Sequence, residues 1–293
     1  MFENIKSGWK LGSAIRKLVF TDKKLFLFPI IAGIIIIVET VAIFGSFLLL
    51  NNYNSYIDIL LVFLYYIVVY FTSVYILIAM FISFRDFGKK QPVSISKAMS
   101  ETSKYLLLIF EWALFESIVT MIIRAIEQRL GPIGATIFGF AASMAMGVAT
   151  AFAIPVIVDK RTGPISTLKE STTFIIKNFG KTFGGLVYTE LYSIMFVIAG
   201  VLILVASIFV ILPSYFVVGV SVALIGLIIL VFGSLLGYIL SNIYRFVLYD
   251  YMNGGKLPSG ITEDMVNSSI KKKRQRSGTG GMFGGNGGGF VSQ

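Results

Sequence analysis

FGGLVYTELYSIMFVIAGVLILVASIFVILPSYFVVGVSVALIGLIILVFGSLLGYILSNIYRFVLY occupies residues 183–249, and the number of times it crosses a bilayer decides the fold. A helix needs ~20 residues to cross a hydrocarbon core of ~30 Å, so this run is far too long for one crossing. Its single break is Leu212-Pro213-Ser214. Proline has no N–H and drives its predecessor out of the helical region. A tight turn there predicts two antiparallel spans, 183–212 and 215–249. Working outward, hydropathy predicts four more, over 25–50, 57–84, 105–126 and 133–158.

Composition agrees. Of 293 residues, 56% are apolar and 14% charged, with mean hydropathy +0.85. A soluble domain carries roughly 25% charged residues, so this chain could not cover its own exterior in water. The absence of Cys and His removes disulfides, thiolate chemistry, haem and Fe–S ligation, cysteine zinc sites and the commonest general base. The apolar run from Leu25 is longer than a signal-peptide core and is read as a retained span. A polytopic all-α membrane protein without enzymatic chemistry, metal or cofactor is expected.

Basic residues fix the expected orientation. Six precede the first span, five lie in 85–104, five in 159–181 and seven in the C-terminal part, leaving only Arg124 and Arg129 on the other side. The positive-inside rule then places both termini in the cytoplasm of a multi-pass cell-membrane protein. Six spans and this charge asymmetry support each other independently.

The spans form three hairpins that end alike, through Phe84-Arg85-Asp86, Val158-Asp159-Lys160 and Leu248-Tyr249-Asp250. Gly and Pro follow each time (Gly88 and Pro92, Gly163 and Pro164, Gly255 and Pro258), with Gly suited to cap one helix and Pro to start the next. Amphipathic segments come after them. One carries Ile95, Ala98, Met99 and Thr102 on a face; another carries Ile165, Leu168, Thr172, Ile175, Ile176 and Phe179. The N-terminal stretch, helix 2–20, matches them with Leu11, Ala14, Ile15, Leu18 and Val19. Helices of this kind suit a membrane surface, and three diverged units with cytoplasmic-surface helices are expected. Asp86, Asp159 and Asp250 sit at helix C-termini, against the dipole. They are expected to form interface ion pairs with basic groups of the surface helices, with Arg85, Lys160, Arg161 and Arg245 close in sequence.

Helices in lipid pack through small residues. Ala135, Gly139, Ser143, Gly147 and Ala151 form a stripe at i+4 steps, predicting that the fourth span is the central packing helix; Gly233, Gly237 and Ser241 repeat it in the sixth. A helix lining a pore could use the same residues. Glu39, Glu111, Glu116 and Glu190 lie within spans, with Arg124 two turns beyond Glu116. Intramembrane carboxylates are functional candidates by default. Their convergence in one polar cavity would support transport of a small solute or ion, whereas hydrogen bonds to Tyr, Ser or Asn would make them structural, the favoured reading.

Residues 1–250 form the expected membrane domain, and 251–276 a short helix over 261–270 followed by Lys271, Lys272, Lys273, Arg274 and Arg276. Such a juxtamembrane cluster attracts anionic lipid at about 1 kcal/mol per cation. It lacks the aromatic platform that nucleic-acid binding uses. Residues 277–293 read as a disordered Gly-rich tail. Lys and Ile richness without Cys fits a heat-adapted prokaryote, archaeal or bacterial.

The run Ala153-Ile154-Pro155-Val156-Ile157-Val158-Asp159-Lys160-Arg161-Thr162-Gly163-Pro164, with Ser166, Lys169-Glu170-Ser171 and Lys177-Asn178-Phe179-Gly180, resembles an uncharacterised family of six-helix prokaryotic integral membrane proteins. Lys23-Lys24-Leu25 and Phe28-Pro29 fit it too, and the likeness spans most of 1–270. It implies architecture and no activity. More distantly, the chain is similar to the membrane-anchor domain of glycerophosphodiester phosphodiesterases, without a phosphodiesterase domain. The expected role is therefore a basic cytoplasmic face that engages anionic lipid, a protein partner or a second copy of the chain.

Overall fold

The computed structural model describes residues 2–50, 55–211, 215–255, 257–258, 261–263 and 265–266, of which 2–9, 47–50, 55, 178–188 and 210–211 enter as backbone only. The Pro213-Ser214 turn, the cations Lys271 to Arg276 and the Gly-rich tail lie outside the described residues. Within them the helices are α1 (Phe2–Thr21), α2 (Leu27–Leu50), α3 (Ser55–Gly88), α4 (Ile95–Thr102), α5 (Leu106–Glu127), α6 (Pro132–Ala149), α7 (Ala153–Lys160), α8 (Pro164–Ala206) and α9 (Phe216–Met252). There is no strand among the described residues. Six stretches are long and apolar enough to cross a membrane, with α6 and α7 together making the fourth. The all-α, six-span, three-hairpin reading stands.

Two boundaries differ from expectation. The fourth span is interrupted at Thr150–Phe152. Pro155 cannot donate to Ala151 and its ring crowds that carbonyl, so the helix restarts one residue after the break. The freed Phe152 N–H donates to Ser171 Oγ of α8 at 3.1 Å, in a buried position. The segment after Gly163 is not a separate surface helix but the first half of α8, which continues unbroken for 43 residues. Its buried face is Thr167, Ser171 and Ile175, while Ile165 and Ile176 are 77% and 71% exposed. The helix rolls to serve the α6–α7 break rather than its own apolar stripe. At two hairpin ends the left-handed residue is Lys90 or Arg161 instead of the expected glycine.

Burial is lopsided along the helix axes. Phe81, Phe84, Trp112, Phe152, Tyr244 and Phe246, with Leu11, Ile15 and Phe28, are all fully buried and all lie toward one end, here the hub end. The opposite, turn end exposes Ile37 and Val41 of α2, Ile137 and Phe140 of α6, and Phe216 and Val217 of α9. Length explains the division. α9 has 37 residues, about 55 Å at ~1.5 Å per residue, against ~30 Å of hydrocarbon. The surplus projects past the hydrocarbon at the hub end, where water enforces burial. In lipid no such force covers apolar side chains. α1 and α4 pack there: Leu11, Ile15, Leu18 and Val19 of α1 and Ala98 and Thr102 of α4 face inward.

The tightest helix contact joins α8 to α9. Gly200 lies against Leu230 and Gly226, Gly233 against Phe196 and Val197, and Gly237 against Ser193; a Cβ added at Gly200 would sit 2.6 Å from the Leu230 nitrogen. The stripe of α6 is not the central seam. A Cβ at Gly147 meets nothing within 4 Å, and Gly139 touches the Glu127 side chain only. Ser143 and Gly147 instead border a cavity. Small residues permit close approach, and they equally leave room when no helix approaches. We expect Gly200→Ala to destabilise the protein by about 1–3 kcal/mol through overpacking, and Gly147→Ala to be neutral, measured by thermal unfolding in detergent.

Candidate functional site

The three hairpins meet at one guanidinium. Arg85, in the last turn of α3, donates from Nη1 and Nη2 to Asp159 of α7 at 2.5 and 2.9 Å, and from Nη2 to Asp250 of α9 at 2.5 Å. Its Nε also reaches both Asp250 oxygens. The guanidinium lies 4.2 Å over the Phe81 ring, and Phe81 packs on Phe246 at 4.6 Å. Five donors in a fixed planar fork let a single arginine hold two carboxylates at once. Each partner comes from the corresponding end of a different hairpin.

Asp86 does pair with a surface helix, through Lys97 Nζ of α4 at 2.7 Å. Asp159 and Asp250 do not; Arg85 of a neighbouring span serves both. Arg245 is close to Asp250 in sequence yet cannot share its direction, because five residues at ~3.6 per turn place them about 140° apart around the helix. Lys160 pairs with Glu170 of α8 at 2.5 Å. That hydrogen bond holds the Glu170 carboxyl below its ordinary value.

Beside the knot is a cleft of about 210 Å³ bordered by Arg85, Asp86, Lys89, Glu101, Lys104, Tyr105 and Arg161. Lys97 bridges its two acids, Asp86 at 2.7 Å and Glu101 at 3.9 Å. Among the described residues Lys89 and Lys104 have no ion pair, and Arg161 stacks on the Tyr105 ring at 5.1 Å. Tyr105 is held by its hydroxyl, which donates to the Val158 carbonyl at 3.5 Å. The cleft therefore presents three exposed cations on a fixed rim.

The intramembrane carboxylates do not converge. Glu39 Oε1 accepts from Thr72 of α3 at 2.6 Å, and its Oε2 is buried without a partner. Glu111 lies at the hub end, its Oε2 within 3.4 Å of where a Cβ on Gly163 would stand. Glu190 accepts from Ser241 of α9 at 2.5 Å. Glu116 lines a cavity of about 330 Å³ among α3, α5 and α6, with Tyr70, Thr120, Arg124, Glu127 and Thr150. Arg124 pairs with Glu127 at 2.8 Å, and Tyr70 and Thr120 share a hydrogen bond of 2.7 Å. Among the described residues Glu116 and Arg124 of the predicted set share a cavity and Glu39, Glu111 and Glu190 do not line it, because the acids sit at different depths and on different hairpins.

Sequence reading missed Arg85 as the common partner, the open cations Lys89 and Lys104, and Ser171 as cap of the broken helix. The likeness of the three hairpin ends was the available signal for Arg85. No group of three or more metal-ligating side chains occurs among the described residues.

Removing Arg85 would leave two carboxylates facing each other. For Arg85→Gln we expect a loss on the order of 2–4 kcal/mol, below that for a fully buried pair because 27% of the side chain is exposed. Asp159→Asn and Asp250→Asn should each cost less, and a double-mutant cycle with Arg85→Gln should be non-additive, all read by thermal unfolding.

No curated protein and no solved structure matches the chain. A family match covers residues 56–259, from the start of α3 past the end of α9, and so includes Arg85, Asp159 and Asp250. The protein belongs to DUF6159, a family of unknown function.

Proposed function

We propose that this protein is a non-enzymatic membrane protein whose hub end, in the cytoplasm together with both termini, engages anionic lipid headgroups of the cell membrane. The observation that carries this reading is the cleft beside Arg85. Lys97 occupies its carboxylates, leaving Lys89, Lys104 and Arg161 open toward a headgroup phosphate or carboxylate. The sequence-level gathering of Lys and Arg at this end, with the further cations Lys271, Lys272, Lys273, Arg274 and Arg276, acts in the same direction. Each cation near an anionic surface contributes about 1 kcal/mol. A triple substitution Lys89→Gln, Lys104→Gln, Arg161→Gln is expected to lower the preference for an anionic over a zwitterionic phospholipid at least tenfold in lipid titrations by native mass spectrometry, with thermal stability kept. A preference equal to that of the unsubstituted protein would remove the reading.

A second reading is favoured by one observation. The Glu116 cavity joins a carboxylate to hydroxyls and reaches Thr150 at the helix break, and irregular backbone at membrane depth is tolerated where it lines a cavity. Transport of a cation or small solute would use Glu116 as its carrier group. In that case liposomes containing the protein would show a flux that Glu116→Gln abolishes; the lipid-engaging role expects no flux from either protein.

A further inference from the structure

Between α8 and α9, on the side facing Leu77 of α3, runs a groove of about 550 Å³. Toward the hub it is lined by Glu190, Ser241, Asn242 and Arg245, with Leu77 at the same level, and toward the turn end by Val197, Gly233 and Ser234. Arg245 makes no hydrogen bond or ion pair among the described residues, and its Nε is buried without a partner. Glu190 is the acid nearest in charge to Arg245, but it gives Arg245 no hydrogen bond, and its Oε1 accepts from Ser241 at 2.5 Å. The Asn242 amide donates to the Tyr238 carbonyl at 2.8 Å, so it too is taken. Arg245 is half-buried and borders the groove, so the part of its guanidinium beyond Nε is open to an anion lying there.

Depth identifies the kind of anion. With Tyr215 and Phe216 in the turn-side aromatic belt, Gly233 lies ~26 Å along α9 and Arg245 ~44 Å along it, at ~1.5 Å per residue. A bilayer is ~30 Å thick across its hydrocarbon and ~40–45 Å with its headgroups. The hub end of the groove therefore lies at the hub-side headgroup layer and its turn end in hydrocarbon. The close packing of Gly233 on Phe196 and of Gly237 on Ser193 holds α8 and α9 together beneath the groove.

We propose that this groove binds one phospholipid of the hub-side leaflet, its phosphate on Arg245 and its chain along Val197 and Gly233. Arginine matches phosphate through paired N–H donors, and a soluble phosphate would leave the turn end of the groove unfilled. The site is separate from the Lys89, Lys104 and Arg161 cleft and stands whether or not that cleft binds headgroups.

The test is native mass spectrometry of the full chain in detergent, titrated with a zwitterionic phospholipid, which carries a phosphate but no net charge for the cationic cleft to select, with a phosphate-free glycolipid of the same chains, and with inorganic phosphate. Phospholipid should be retained, and the other two should bind at least tenfold more weakly. Arg245→Gln should lower phospholipid retention at least tenfold, and Arg245→Lys should restore part of it. Ser234→Trp, an exposed position on the groove wall, keeps Arg245 and obstructs the chain. It should also lower retention, which keeps the proposal testable if Arg245→Gln fails to fold. Equal retention by Ser234→Trp or Arg245→Gln and the unsubstituted protein, or equal binding of the glycolipid, would overturn the proposal. The Lys89, Lys104, Arg161 triple variant should retain this lipid.

Discussion

One guanidinium ties three hairpins together. Arg85 reaches Asp159 and Asp250 from α3, so that each of the three hairpins contributes a charged end to the same cluster. Within lipid, helix association depends on packing and polar contacts rather than on water. An ionic cluster at the end of the bundle supplies direction as well as attraction, because two carboxylates can share an arginine only if their helices arrive at set distances and angles. Phe81 beneath the guanidinium and Phe246 beside it carry that geometry into the apolar core.

The rest of the architecture follows from two solvents acting on one set of helices. α3 and α9, at 34 and 37 residues, are longer than a bilayer requires, and their hub-side surplus is covered by α1, α4 and the first half of α8. The large fully buried side chains concentrate there. At the turn end, lipid accepts exposed Ile, Val and Phe without cost, so hairpins need only their own internal seams. α8 and α9 have one built from glycines; α5 and α6 do not, and the space beside α6 becomes the cavity around Glu116.

Polar groups at membrane depth are consequently dispersed. Glu39 is bound by Thr72 within its own hairpin and Glu190 by Ser241 within its own. Glu116 and Arg124 share a cavity, yet Arg124 gives its hydrogen bond to Glu127. Among the described residues Arg245 makes no hydrogen bond, and it borders the groove between α8 and α9 near the hub end. Its neighbour in sequence, Asp250, is turned around the helix toward Arg85.

Six spans, their pairing into hairpins and the gathering of basic residues at one end were legible in the chain, because hydropathy and charge along a helix are local properties set against a slab of known thickness. The glycines at 233 and 237 were legible too, as close-packing residues. Which partner each charge takes was not. Asp250 lies five residues from Arg245 and 165 from Arg85, and only the three-dimensional meeting of hairpins brings the distant one near. The same holds for the stripe from Ala135 to Ala151 and for Pro155. Small residues specify available space, and proline specifies a lost hydrogen bond. Whether a neighbouring helix, a cavity or Ser171 answers them is decided by packing between segments far apart in sequence.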